Sequence, residues 1–257
     1  MLMKNETLYM NNQQLILDAD CKKEDVIVLL KGKGENSVQL NGNTVLTGTT
    51  GYRKIRFTKE HFCLLNDSTL SFYTLKGELV SQCDIGEDVF ELFPYRQGVL
   101  CIYGDEGAFG EKLGENRLNY AVPLHKPESF YDIAVQHNLL YDFLFARYKP
   151  YACIGWATDE LFFLNEQLGR EKTLKFPFDP GNTIAFALTY EYGVFLERKR
   201  IWLWEFEKTN KFYEYPGDYS YKTRAIFNRH EYLFLTVLDH ELKVFKPVLT
   251  VDSQAAK

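Results

Sequence analysis

Short apolar runs recur along the whole chain, and turn-forming residues separate them. Ile55-Arg56-Phe57 is followed by His61-Phe62-Cys63-Leu64-Leu65. Asn66-Asp67, Leu70-Ser71-Phe72-Tyr73, Lys76-Gly77-Glu78 and Leu79-Val80 come next. This pattern predicts three or four strands joined by tight turns. The same grammar returns at Ile184 to Tyr215 and at Arg224 to Phe245. Repeats of roughly 30–50 residues, each a small antiparallel sheet, mark a β-propeller. The expected fold is therefore an all-β, β-propeller domain spanning residues 1–251, with 252–257 as a disordered tail.

Leu8-Tyr9-Met10 and Leu15-Ile16-Leu17, with Asn11-Asn12 between them, read as a hairpin. Val26 to Leu30 is a continuous apolar run of strand length, and Asn41-Gly42 is a strong turn signal. Later units start near Lys54, Asp88, Phe130, Ile184 and Arg224. Tyr131 to Val135 reads as the first strand of the fourth unit, with a solvated turn at Gln136-His137-Asn138. The spacing is uneven, so five to seven blades fit and six fits best. A pair of β-sandwiches is the rival fold. The last strand, near Val244, is expected to close the ring against Leu8 or Leu15, which removes the open sheet edges.

Aromatic residues support strands over helices: the chain has 20 Phe and 17 Tyr against 3 Met. The formal net charge is -5, without the basic footprint of a nucleic-acid binder. Arg198-Lys199-Arg200 reads as a solvated hairpin turn. Five cysteines, an odd count with no C-x-x-C pair, argue for free thiols and a cytoplasmic setting. Cys63, Cys101 and Cys153 lie within apolar runs and are expected to be buried. No apolar stretch is long enough for a membrane-spanning helix.

Candidate chemistry is sparse. Residues 104–110 place three glycines around Asp105 and Glu106, with Phe109 beside them. Such a loop bends sharply and can hold a carboxylate over a cavity, or Asp105 can simply cap backbone N–H groups. Gly107 is expected to adopt positive φ. His61, His125, His137, His230 and His240 are scattered and form no metal motif. No cofactor is implied. Trp202 and Trp204 share one strand face, which is either inter-blade core or an outward contact surface. Phe212 to Tyr221 brings Tyr213, Tyr215 and Tyr219 beside Pro216-Gly217 in a loop-like run suited to partner contact.

The stretch Tyr103-Gly104-Asp105-Glu106-Gly107-Ala108-Phe109-Gly110 resembles an uncharacterised group of bacterial β-propeller-like proteins. That group carries an aromatic-x-Asp-Glu-Gly-x-aromatic-Gly motif. Tyr131-Asp132-Ile133-Ala134 and Tyr141 to Phe145 are more loosely similar to it. The order of acidic and aromatic residues at Tyr131-Asp132 is reversed. The resemblance implies the fold and says little of activity. The function expected is non-catalytic binding of another protein, for example by a monomeric immunity or regulatory protein. Asp105, Glu106, Gly107, Phe109, Asp132, Tyr213, Tyr215 and Tyr219 are the candidate contacts. The alternative is a hydrolase or lyase acting on a saccharide or other small polar ligand, with Asp105, Glu106 or Asp132 as acid and base.

Overall fold

The computed structural model describes residues 2–104, 117–137, 143–155, 159–220, 222–228 and 231–248. Strand β1 (Leu2–Met10) stands apart from its neighbours in sequence. Blade 1 follows with β2 (Leu15–Lys22), β3 (Asp25–Lys31), β4 (Ser37–Leu40) and β5 (Asn43–Thr47). Blade 2 holds β6 (Lys54–Phe57), β7 (Phe62–Leu65), β8 (Thr69–Tyr73) and β9 (Leu79–Asp84). Blade 3 holds β10 (Val89–Tyr95), β11 (Gly98–Tyr103), β12 (Leu118–Ala121) and the short β13 (Glu128–Ser129). Helix α1 (Tyr131–Gln136) leads into blade 4, which is β14 (Phe143–Arg147), β15 (Tyr151–Gly155), β16 (Glu160–Leu164) and β17 (Arg170–Lys175). Blade 5 is β18 (Ala185–Leu188), β19 (Gly193–Leu196), β20 (Arg200–Glu205) and β21 (Lys211–Pro216). Blade 6 takes β22 (Thr223–Asn228), β23 (Glu231–Val237) and β24 (Glu241–Val248).

Each blade is one four-stranded antiparallel sheet, and there are six. The sixth is completed by β1, which pairs with β24 in a register that sets Glu6 opposite Val244. This is a closed six-bladed β-propeller. The ring is sealed by strands from opposite ends of the described chain. The reading of residues 7–19 as a hairpin is corrected here. β1 and β2 belong to different sheets, and Asn11 to Gln14 is the passage between blades. Two apolar runs flanking Asn-Asn look alike whether they pair with each other or with distant partners.

The core is divided among the blade interfaces. Along β3, Val28 and Leu30 pack toward blade 6, whereas Ile27 and Leu29 pack toward blade 2. Both faces of the strand are therefore dry, which explains the unbroken apolar run. In β11, Val99, Cys101 and Tyr103 face blade 2, while Leu100 and Ile102 face blade 4. In β20, Trp202 and Trp204 face blade 4, and Ile201 and Leu203 face blade 6. The tryptophan pair is thus inter-blade core. Each such side chain, fully buried, contributes about 1.5–3 kcal/mol of transfer free energy. Asn41 and Gly42 turn the β4–β5 hairpin with φ of 51° and 80°, as their residue types predict.

Three further expectations are corrected. Tyr131 to Gln136 is helical, and the first strand of blade 4 is Phe143–Arg147. Tyr131 and Val135, four residues apart, lie exposed on this helix while Ala134 turns inward beside Phe130. His137 is fully buried, with Nε2 2.6 Å from the Leu168 carbonyl oxygen. Lys211 to Pro216 is the outermost strand of blade 5, not a loop.

Candidate functional site: the central channel

In every blade the first strand lies innermost, so β2, β6, β10, β14, β18 and β22 surround a channel of about 380 Å³. Charged residues interrupt several of these strands. Arg56, on β6, is almost wholly buried and reaches both neighbouring blades. Its Nη1 donates to Asp18 Oδ2 at 2.5 Å, and its Nη2 and Nε donate to Glu91 Oε1 at 2.6 and 2.9 Å. Nε also reaches the Leu92 carbonyl at 3.2 Å. On the other side of blade 1, Arg224 Nη2 donates to Asp20 Oδ1 at 3.0 Å and to the Ala19 carbonyl. Asp20 also accepts the backbone N–H groups of Cys21 and Phe57, both at 2.8 Å. A chain of ion pairs thereby links blades 6, 1, 2 and 3.

These pairs fix the charge states. Burial by itself would push the Glu91 carboxyl upward, but Arg56, Lys54 and Arg224 outweigh it and hold it at about 2. Burial also works against the charge on Arg56, yet Asp18, Glu91 and Asp20 carry its pKa well above the usual value. Both are ionised throughout the neutral range. Carboxylates already occupied by guanidinium groups make a poor cation site, and among the described residues no three His, Cys, Asp or Glu side chains are grouped to hold a metal.

The remaining wall is apolar. Leu144, Ile184, Ala185, Ala187 and Ala225 line the channel together with Phe93. At the end where each innermost strand turns into the second, the character changes again. Lys22 and Arg147 are the last residues of β2 and β14, and Lys59 and Arg96 follow β6 and β10. All four line the cavity mouth. Lys22 Nζ donates to the Thr58 carbonyl at 2.6 Å and to the Lys59 carbonyl; burial, then Lys23, lowers its pKa. Arg147 donates to the Pro94 carbonyl at 2.7 Å and lies 4.8 Å from the Tyr151 ring centre. Among the described residues, none of these four cations forms a salt bridge, in contrast with Arg56 and Arg224.

The residues singled out in the sequence lie elsewhere. Asp105, Glu106, Gly107 and Phe109 are outside the described residues. Asp132 is exposed in the first turn of α1. Tyr213 and Tyr215 sit on β21, at the rim of blade 5, opposite Leu203 and Ile201. Tyr219 is buried, its ring 5.6 Å from that of Phe245. None of the described ones lines the channel. The channel residues had a signal of their own: a charged residue inside the first apolar run of a unit, as in Ile55-Arg56-Phe57 and Phe90-Glu91-Leu92.

No protein-family model matches the chain, and a comparison with curated proteins gives no match. Solved structures do match. One is the AfRom2 CNH domain, 12% identical with a TM-score of 0.53, covering 96% of this chain and 100% of that one. Virginiamycin B lyase from Staphylococcus aureus is 10% identical with a TM-score of 0.52, covering 96% and 100%. BamB from Moraxella catarrhalis is 10% identical with a TM-score of 0.52, covering 93% and 85%. At these identities the likeness concerns the fold alone.

Proposed function

We propose that the protein is a non-catalytic binding propeller that holds another protein at the cationic mouth of its channel. The observation that carries this reading is the division of charge. The channel carboxylates are consumed by Arg56 and Arg224, whereas the mouth presents four cations that form no salt bridge among the described residues. Acid–base hydrolysis or elimination needs a carboxyl that holds a proton near neutral pH. Glu91, at about 2, is the opposite of that. Asp20 accepts four hydrogen bonds from Arg224 and backbone donors, which suits a structural tie. A rigid ring with an open, charged mouth is suited to holding a partner rather than transforming it. The five free thiols fit a reducing compartment, and we read the protein as cytoplasmic.

The test compares affinity capture by the parent and by a Lys59→Glu/Arg96→Glu variant, both residues being exposed. Captured proteins should be lost from the variant while its melting temperature holds. Equal capture by both proteins would remove the mouth as the site. Turnover of a glycoside panel, abolished by Glu91→Gln, would instead assign the channel to catalysis.

A further inference from the structure

We infer that the channel mouth takes an acidic peptide segment bearing one apolar anchor residue, which enters the channel while its carboxylates stay at the rim. This rests on the reading of the mouth as a partner site and specifies the chemistry of the partner. Five cationic side chains line the cavity against two carboxylates, Asp20 and Glu91. Both carboxylates are already paired, so the positive excess lies with Lys22, Lys59, Arg96 and Arg147. The whole chain has a formal charge of -5, so this mouth is a local reversal that steers anions to it.

Depth sorts the ligand. An anion carried past the rim would meet Arg224, already committed to Asp20, and Glu91, a carboxylate held ionised by the buried Arg56. Displacing a buried ion pair is costly. The anionic part therefore stays outside. What lies within reach of the rim is the wall of Phe93, Leu144, Ile184 and Ala225, all half-buried with apolar surface facing the cavity. A cavity of about 380 Å³ sits at the small end of ligand sites and admits a side chain or two. A helix, about 10 Å across, is too wide. An extended acidic segment with a single Phe or Leu satisfies all three conditions.

The experiment is fluorescence polarisation with a fluorescein-labelled nonapeptide: one central phenylalanine flanked on each side by four acidic residues. Three probes accompany it: the same peptide with alanine at the centre, one with lysines replacing the acids, and 3-phenylpropionate as a competitor. The acidic phenylalanine peptide should bind and weaken with salt. Lys59→Glu should weaken it at least about tenfold. The alanine peptide should bind about tenfold or more weakly, through loss of the anchor's burial. Ala225→Phe, filling the channel, should bring the two acidic peptides to equal affinity. Should that variant not fold, the two peptides compared on the parent decide the same point.

Equal affinity of the phenylalanine and alanine peptides on the parent would overturn the anchor, as would tight binding of the lysine peptide overturn the charge argument. Binding of 3-phenylpropionate with no binding of any peptide would overturn the peptide in favour of a small acid. If no probe binds but capture of a protein still depends on Lys59 and Arg96, this inference fails and the binding function survives. If capture ignores those residues, the function itself fails.

Discussion

Arg56→Met tests whether the ion pairs of the channel hold the ring together. The arginine is 2% exposed and spans three blades, with Asp18 on one side and Glu91 on the other. Methionine keeps much of the stem's volume and removes the charge. Removing one partner of a buried pair costs roughly 3–5 kcal/mol, because a charge is left uncompensated. Asp18 and Glu91 side chains keep 13% and 23% of their exposure, so water relieves part of the penalty and about 3 kcal/mol is expected. For a domain of this size that lowers Tm by about 6–12 °C. The pH dependence adds a sharper criterion. In the parent, Glu91 has a carboxyl pKa depressed to about 2, so its contribution is complete above the ordinary carboxylate range and is lost as pH falls through 2. In the variant, burial dominates and the carboxyl gains from protonation, so the deficit should shrink between pH 7 and pH 4. Calorimetric melts of both proteins at those two values provide the measurement. A variant that melts with the parent at pH 7, or whose deficit grows on acidification, refutes the reasoning.

Three other predictions follow from single contacts. Burial, with Arg170 beside it, lowers the pKa of His137, although the hydrogen bond to Leu168 opposes this. Its imidazole NMR signals should titrate below the ordinary 6.5, so its stabilising contribution is complete above 6.5 and is lost as pH falls through the lowered value; a midpoint at or above 6.5 contradicts this. Cys83 is the one half-buried thiol, raised to about 11 by burial and Asp84, whereas the other four are buried. It should be first to react with a thiol reagent in the native protein, and Cys83→Ser should remove that first phase alone. Gly77 has φ of 86°, and a Cβ there would lie 1.9 Å from the Val45 carbonyl oxygen of the adjacent blade. Gly77→Ala should therefore cost at least about 2 kcal/mol in chemical denaturation, and an unchanged midpoint would show that the blades give way at this contact.

The ring was legible because its evidence is local. Hairpins such as Asn41-Gly42 and strands such as Phe62-Cys63-Leu64-Leu65 announce themselves within a few residues. Blade starts at Lys54, Ile184 and Arg224 fall within a residue of the innermost strands. The misreadings have a common cause. Tyr131 to Gln136 alternates weakly and is too short for a helical period to show. His137 looked solvated because its neighbours are polar, yet Leu168 and Arg170, more than 30 residues away, enclose it. The channel escaped notice because Asp18, Arg56, Glu91 and Arg224 lie in separate units. Only the ring brings them together, and a sequence scan weighs adjacent carboxylates such as Asp105-Glu106 more readily.

The pairing of β1 with β24 has a consequence for how the chain is made. Met10 is paired with Glu241, so β1 must wait while everything between them is synthesised. At ribosomal rates of about 5–20 residues per second, that interval is roughly 10–50 s. During it, the partner edge of β1 does not exist, and the strand is open to pairing with another nascent chain. Its composition suits the wait: Lys4, Asn5, Glu6 and Thr7 remain exposed even after closure, and charges of this kind discourage edge-to-edge association. For β1 the exposed stage is therefore the interval before β24 emerges and pairs with it, whatever else the chain has folded by then.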